Sequence, residues 1–296
     1  MKHPLHITFV LLFAVGLTAN LKAQETEQTS NETAVEEKIP ERAPVQLEKI
    51  TVTLEGEEVL KQEGINEWAG KAAKLVTEYY PKFDKLLETE GFVPPKELTV
   101  IFRKMDGVAF STGTQIVISA DWIKRQPGDF GMVAHELVHN IQRYPGGRGP
   151  GGAPGWVTEG IADYIRHVYF EPEVPMRPIN PERDTYTSSY QITAAFFMYI
   201  VATYDKDFIT KLNAHARQRT YSDDVFEKYT GKKLDELHAE HIEKVVRPLQ
   251  QENKRLVPDV RFPQLKEYRQ EFDKRLAELR QQTPPQEPQQ RRQSVR

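Results

Sequence analysis

The stretch His135-Glu136-Leu137-Val138-His139, followed by a loop crowded with glycine and proline and then by Glu159-Gly160-Ile161-Ala162-Asp163-Tyr164, decides how the rest of the chain is read. His135 and His139 are four residues apart, so on a helix both imidazoles stand on one face and can reach a single ion at about 2.1 Å. Glu136 leans beside that face, near enough to hold a water next to the ion without ligating it. A zinc ion lowers the pKa of its bound water towards about 7, and a carboxylate beside it can take the proton and later hand it to a leaving amine. The pentapeptide alone occurs by chance in on the order of 1% of chains this long. A third ligand is therefore what turns the pattern into a site.

A metzincin arrangement needs Gly and then His at fixed steps after His139, but Gln142 and Pro145 occupy those positions, which excludes it. Glu159 and Asp163 are again one turn apart, on a second helix that can lie across the first once the glycine-rich loop has reversed the chain. Glu159 completes a tetrahedron with one position left for water. Asp163 accepts a hydrogen bond from the second ring nitrogen of a ligand histidine and fixes its tautomer. An ordinary solvated acidic face is the competing reading, and it fits poorly with Ile161, Ala162, Tyr164 and Ile165 around the pair. His167 shares the face of Asp163 but is a lone helical histidine, and His215 has no second ligand residue at useful spacing. The pair His238 and His241 falls in a strongly charged helix and reads as solvated.

Outward from this centre the chain divides by composition. Lys2 and His3 precede an apolar run from Ile7 to Leu17 that is short for a bilayer span, which predicts a signal peptide over residues 1–23 and an exported, secreted or periplasmic protein. The alternative is an uncleaved anchor. Residues 24–45 are rich in Glu, Thr, Gln, Ser and Asn and are read as a disordered leader. A catalytic domain is expected over 46–250, an amphipathic helix over 259–282, and a disordered Gln- and Pro-rich tail over 283–296. The chain has no cysteine, which excludes disulfides and a lipid-modified cysteine. Without Lys2 and Lys22, the 40 basic residues fall to 38 against 43 acidic ones, a net charge of −5, and neither nucleic acid nor an anionic membrane is expected as a partner.

Within the domain, Ile50–Leu54 and Leu98–Phe102 read as strands, and a helical pattern runs from Ile65 to Leu86 with Pro81 expected to kink or split it near Tyr80. Val108–Phe110 and Gln115–Ser119 read as short strands joined by a tight reversal. An exposed edge strand just before a metal helix can pair with an extended peptide, which makes Ile116, Val117 and Ile118 candidate substrate-binding residues; an interior strand is the alternative. Asp129 is a fair N-cap for the metal helix. Pro145–Gly155, with six glycines and three prolines, reads as a lid or a mere connection. Trp156–Tyr169 and the nearly all-apolar Tyr190–Val201 are read as helices, with shorter ones over Phe208–Leu212, Val225–Tyr229 and Leu234–Val246. After Pro258, Leu265, Tyr268, Phe272, Leu276 and Leu279 form a narrow seam that packs on the domain or on a partner.

These residues also carry a resemblance. Ala134 to His139, the loop Gly151-Gly152-Ala153-Pro154-Gly155 and especially Glu159-Gly160-Ile161-Ala162-Asp163-Tyr164-Ile165-Arg166 resemble the basic secretory protein family of plant and bacterial peptidases. Tyr190 to Phe197, Leu212-Asn213 and Tyr221-Ser222-Asp223 are similar too. The likeness spans roughly Ile50 to Val246; Trp156-Val157-Thr158 departs from it, and this chain is not basic.

The resemblance implies an α+β zincin-like metallopeptidase fold, with a small mixed sheet and the active-site helix in the N-terminal half and a helical C-terminal half. It implies one Zn2+ per chain, held by His135, His139 and Glu159 in a gluzincin-like manner, and peptide or protein substrates. Such sites use a histidine or tyrosine from the C-terminal half to stabilise the oxyanion. Tyr190 is the candidate donor, with Tyr186 as competitor. The expectation is a secreted zinc endopeptidase with Glu136 as general base. The alternatives are a zinc-containing module that binds peptide or glycan without hydrolysis, and a zinc hydrolase of cell-wall peptides.

Overall fold

Four strands form one mixed sheet in the order β1-β2-β4-β3. β1 (Lys49–Glu55) runs parallel to β2 (Glu97–Arg103), β2 parallel to β4 (Gln115–Ser119), and β3 (Ala109–Thr112) antiparallel to β4. The structure, a computed structural model, describes residues 42–145 and 150–282. The expected signal peptide, most of the leader, the tail after Gln282 and residues 146–149 of the glycine loop lie outside the described residues. Among those described, no helix is long and apolar enough to cross a membrane.

β3 and β4 are joined by Gly113-Thr114, with Gly113 at φ +55°, a left-handed conformation that glycine adopts without a Cβ penalty. The hairpin puts β3 at the edge and β4 inside, so the expectation that Ile116, Val117 and Ile118 form an exposed edge is corrected. All three are buried, and β4 pairs with β2 on one side and β3 on the other, which uses the backbone groups a peptide would need. Their uninterrupted apolar run is the pattern of a strand covered on both faces.

After the short helix α1 (Glu57–Leu60), α2 (Ile65–Leu86) continues unbroken through Pro81, against the predicted split. Tyr80 and Phe83, on either side of the proline, are fully buried, and this packing offsets the backbone hydrogen bond that proline removes. α3 (Ala120–Arg125) starts on the Ser119 hydroxyl, which accepts from the Trp122 amide at 3.2 Å. Next come α4 (Gly131–Gln142), which carries the histidines, and α5 (Gly155–Ile165), which runs on into a π-helical turn over Arg166–Phe170.

The helical half consists of α6 (Tyr190–Thr203), α7 (Phe208–Gln218), α8 (Asp224–Thr230), α9 (Leu234–His241), a π-turn over Ile242–Val246, α10 (Arg247–Gln251), α11 (Pro258–Arg261) and α12 (Pro263–Gln282). Every residue of α6 from Ile192 to Val201 is buried, as its apolar composition requires. Phe196, Phe197, Phe208 and Phe226 meet around it.

The C-terminal seam packs on the chain's own domain. Phe272 of α12 packs edge-on to Tyr169 at 5.7 Å, and Arg269 bonds Asp259 and the Val168 carbonyl. Residues 42–45 are held against the domain. Arg42 donates to Asp84 at 2.7 Å, the Val45 amide donates to the same carboxylate at 2.8 Å, and Pro44 between them is buried. Asp84 and Glu88 are buried carboxylates on and just after α2, and a cation has to be ordered against them.

Candidate metal and catalytic site

α4 is set in place before it presents any chemistry. Trp68 of α2 stacks on Phe130 at 4.6 Å and donates its indole N–H to the Pro127 carbonyl at 2.9 Å, fixing the turn that leads into the helix. Asp129 stands one residue before the N-cap position, which Phe130 occupies. Its carboxylate nevertheless accepts from the Met132 amide at 3.3 Å, from the Trp122 indole at 3.0 Å and from Arg166 at 3.1 Å. A Cβ at Gly131 would lie 2.4 Å from the Arg166 guanidinium, so this glycine lets Arg166 cross the first turn of the helix.

α5 approaches from the other side, and Gly160 makes that approach possible. A Cβ there would sit 2.3 Å from Thr193 Cγ2 and 2.9 Å from Phe197 on α6. Glu159 beside it faces α4, and the two helices together bring His135, His139 and Glu159 into one cluster whose ligand atoms all lie within 4.8 Å. His135 Nε2 is 3.0 Å from His139 Nε2 and 3.1 Å from Glu159 Oε2, and His139 Nε2 is 3.3 Å from the same oxygen. Ligand atoms about 2.1 Å from a tetrahedral zinc are about 3.4 Å from one another, so the three fit the group.

The far ring nitrogens are occupied as well. His135 Nδ1 lies 2.7 Å from Asp163 Oδ1, and His139 Nδ1 lies 2.7 Å from Gln142 Oε1. Gln142 is fixed in turn by donating to the Thr158 carbonyl at 3.0 Å. If a metal ion displaces the proton on Nε2 of His135, donation of each Nδ1–H leaves both Nε2 lone pairs free to face the same point. Gln142 was not recognised as a site residue from sequence, although its spacing of three from His139 puts it on the right face.

The electrostatics favour a cation at this point. Burial opposes charge on His135, yet hydrogen bonds with Asp163 and Glu159 hold its pKa at about 10. Burial likewise opposes the Glu159 carboxylate, while the two imidazoles bring its pKa down to about 2. A divalent ion would take the place of the imidazole proton that these carboxylates retain.

The cluster lines a cleft of about 670 Å3 together with Glu136, the edge strand β3, Arg166, Arg177, Tyr190 and Gln191. The Ser111 hydroxyl of β3 donates to the Glu136 carbonyl at 2.7 Å, and Asn140 bonds the carbonyls of Gly113 and Gln115, so the hairpin is tied along α4. Tyr190 opens α6 with φ +50°, directly after Ser189 at φ +62°. Its ring stacks on His135 at 5.8 Å, the residue is 54% exposed, and the nearby Glu159 carboxylate raises its pKa. Its competitor Tyr186 is turned away, with its hydroxyl on Asp235 and its ring against Trp156 and Phe196.

The other histidines among the described residues stand apart from the cluster. His167 is buried, and burial lowers its pKa to about 4. His215 bonds Thr220 and Tyr229. The solvated reading of His238 and His241 is corrected: His241 is buried against Phe196 and Tyr199, and burial lowers its pKa to about 3. His238 is half-buried against Tyr186. The charges of their helix lie on its other faces. The described part of the glycine loop is pinned to the helical half by a bridge from Gly151 to Tyr221, where a Cβ on Gly151 would meet the Arg219 carbonyl at 1.8 Å.

A mixed α+β chain with two histidines, a glutamate and a spare carboxylate converging in an open cleft has the parts of a hydrolase. The family model for peptidases of plants and bacteria matches residues 66–241, more than half of the chain, which therefore belongs to this family, the basic secretory protein peptidases. The family is one of peptidases, whose substrates are peptides or proteins. No curated protein and no solved structure is a match to the chain.

Proposed function

We propose that this peptidase is a secreted, zinc-dependent endopeptidase of zincin fold. The observation that carries the reading is the convergence of His135 Nε2, His139 Nε2 and Glu159 Oε2, with separations suited to one tetrahedral ion. Bound there, zinc would supply the acidity of an attacking water and the polarisation of the scissile carbonyl. His135, His139 and Glu159 hold the ion, while Asp163 and Gln142 fix the two imidazoles. Glu136, next to the ligands and lining the cleft, takes the proton of the attacking water and returns it to the leaving nitrogen. The Tyr190 hydroxyl, projecting over His135, donates to the carbonyl oxygen as its negative charge grows. Edge strand β3 offers unpaired backbone groups to an extended substrate, the role expected of β4 from sequence.

The test is cleavage of a diverse peptide library by the purified protein, with and without a chelator, alongside metal analysis. Zinc at one per chain and chelator-sensitive cleavage are expected, and Glu136→Gln should keep the metal while losing about 100-fold or more in kcat. Cleavage that is indifferent to the chelator would overturn the metal reading. Undiminished turnover by Glu136→Gln would remove it as the base.

A further inference from the structure

The segment after the π-turn of α5 runs without regular structure from 171 to 189 and forms one border of the cleft. Arg177 stands on this border. Its amide donates to Gln191 Oε1 at 2.6 Å, which anchors the segment next to Tyr190. Of the two arginines lining the cleft, Arg166 is spent on Asp129 and Glu171. Among the described residues the Arg177 guanidinium has one ion pair, to Asp184 at 3.8 Å, and makes no hydrogen bond.

Arg177 also lines a second pocket, of about 300 Å3, with Arg183, Lys254 and Arg255. Among the described residues its lining holds no carboxylate. Among the described residues Asp184 and Glu252 are the carboxylates paired with these four cations, from outside the pocket, so positive charge is in excess there in a chain whose net charge is −3. Arg255 is held by backbone carbonyls, those of Met176 at 2.7 Å and Pro175 at 3.0 Å, which fix its guanidinium without cancelling its charge. The Met176 amide bonds the Leu256 carbonyl at 2.8 Å, so the two walls of the pocket are tied together.

Resting on the peptidase reading above, we infer that substrate continues from the catalytic cleft past Arg177 into this basic pocket, and that the enzyme prefers acidic side chains on that side of the scissile bond. The chemistry is complementary: carboxylates near the ligand cluster would face Glu136, Glu159 and Asp163, whereas carboxylates farther along meet guanidinium forks that suit them. Such a groove also raises the local concentration of acidic segments before they dock.

The experiment uses quenched-fluorescence peptides capped at both ends and differing only in Glu or Lys at successive positions on each side of the cleaved bond. On one side, Glu should exceed Lys in kcat/KM by about fivefold, the upper range for exposed pairs, with the ratio shrinking as salt is raised. Arg177→Glu combined with Arg183→Glu should invert the ratio, with metal content and melting temperature checking that the variant is folded. A ratio near one on both sides of the wild type, or an unchanged ratio in a folded variant, overturns the inference while leaving the peptidase reading intact. If wild type cleaves no peptide, the peptidase reading falls. Anisotropy of labelled Glu-rich and Lys-rich peptides on Glu136→Gln then decides the inference alone: tighter binding of the acidic peptide supports it, and equal binding overturns it.

Discussion

Each histidine of the cluster spends its Nδ1 on a partner of different chemistry, a carboxylate for His135 and an amide for His139. The amide is the less obvious of the two and the easier to test. Gln142→Ala should leave the fold intact and weaken metal affinity by about 10- to 100-fold, the usual cost of losing an orienting partner, measured by competition with a chromophoric chelator. Unchanged affinity would mean that packing alone holds the His139 ring. Tyr190 is the other residue whose role rests on position. Two consecutive non-glycine residues at positive φ, Ser189 and Tyr190, put its ring over His135, and each such conformation costs on the order of 1 kcal/mol or more, a burden typical of functional positions. Tyr190→Phe should retain the metal and lower kcat by about 100-fold, with KM little changed. A fall in metal content instead would assign Tyr190 to site structure.

At the scale of elements, the site depends on how closely α5 can lie against α6. Gly160 is the residue that sets this distance, and a methyl group there would overlap Thr193 and Phe197, both buried on α6. Gly160→Ala should destabilise the protein by about 1–3 kcal/mol through overpacking, visible as a lowered melting temperature. It should also weaken metal binding, because Glu159 moves with the helix. A melting temperature equal to that of wild type would show that α6 yields without cost.

For the molecule as a whole, acid stability follows from imidazoles buried in neutral form. Burial lowers the pKa of His241 to about 3, below the ordinary value of 6.5. Between these values the unfolded chain binds a proton that the native state does not, so this histidine leaves stability intact above pH 6.5 and erodes it as pH falls. Each pH unit in that window costs about 1.4 kcal/mol. His241→Leu, which cannot titrate, should therefore lose about 2 kcal/mol less than wild type between about pH 7.5 and pH 5, measured by urea unfolding at both pH values. Equal losses would place the acid sensitivity elsewhere, with the buried His167 next in line.

What could be read from the sequence follows from spacing along helices. His135, Glu136 and His139 share a turn of α4, Glu159 and Asp163 share a turn of α5, and helix geometry alone puts each set on one face. The apolar run of α6 and the four strands are similarly local, since side-chain periodicity is set by the backbone. The sequence could not say which arm of the β3–β4 hairpin becomes the edge, because an apolar strand looks the same until its neighbours are known. Nor could it show that α2 continues past Pro81, where packing from both sides outweighs a local preference, or that His241 faces the core. The segments carrying Gln142 and Arg177 were in plain view, but their roles came only with the tertiary structure. The sequence by itself determined which residues could bind a metal. Only the packing of α4 against α5, and of the 171–189 segment against both the cleft and the basic pocket, decided where those residues point, because ligand separations of about 3 Å depend on contacts between segments remote in the chain.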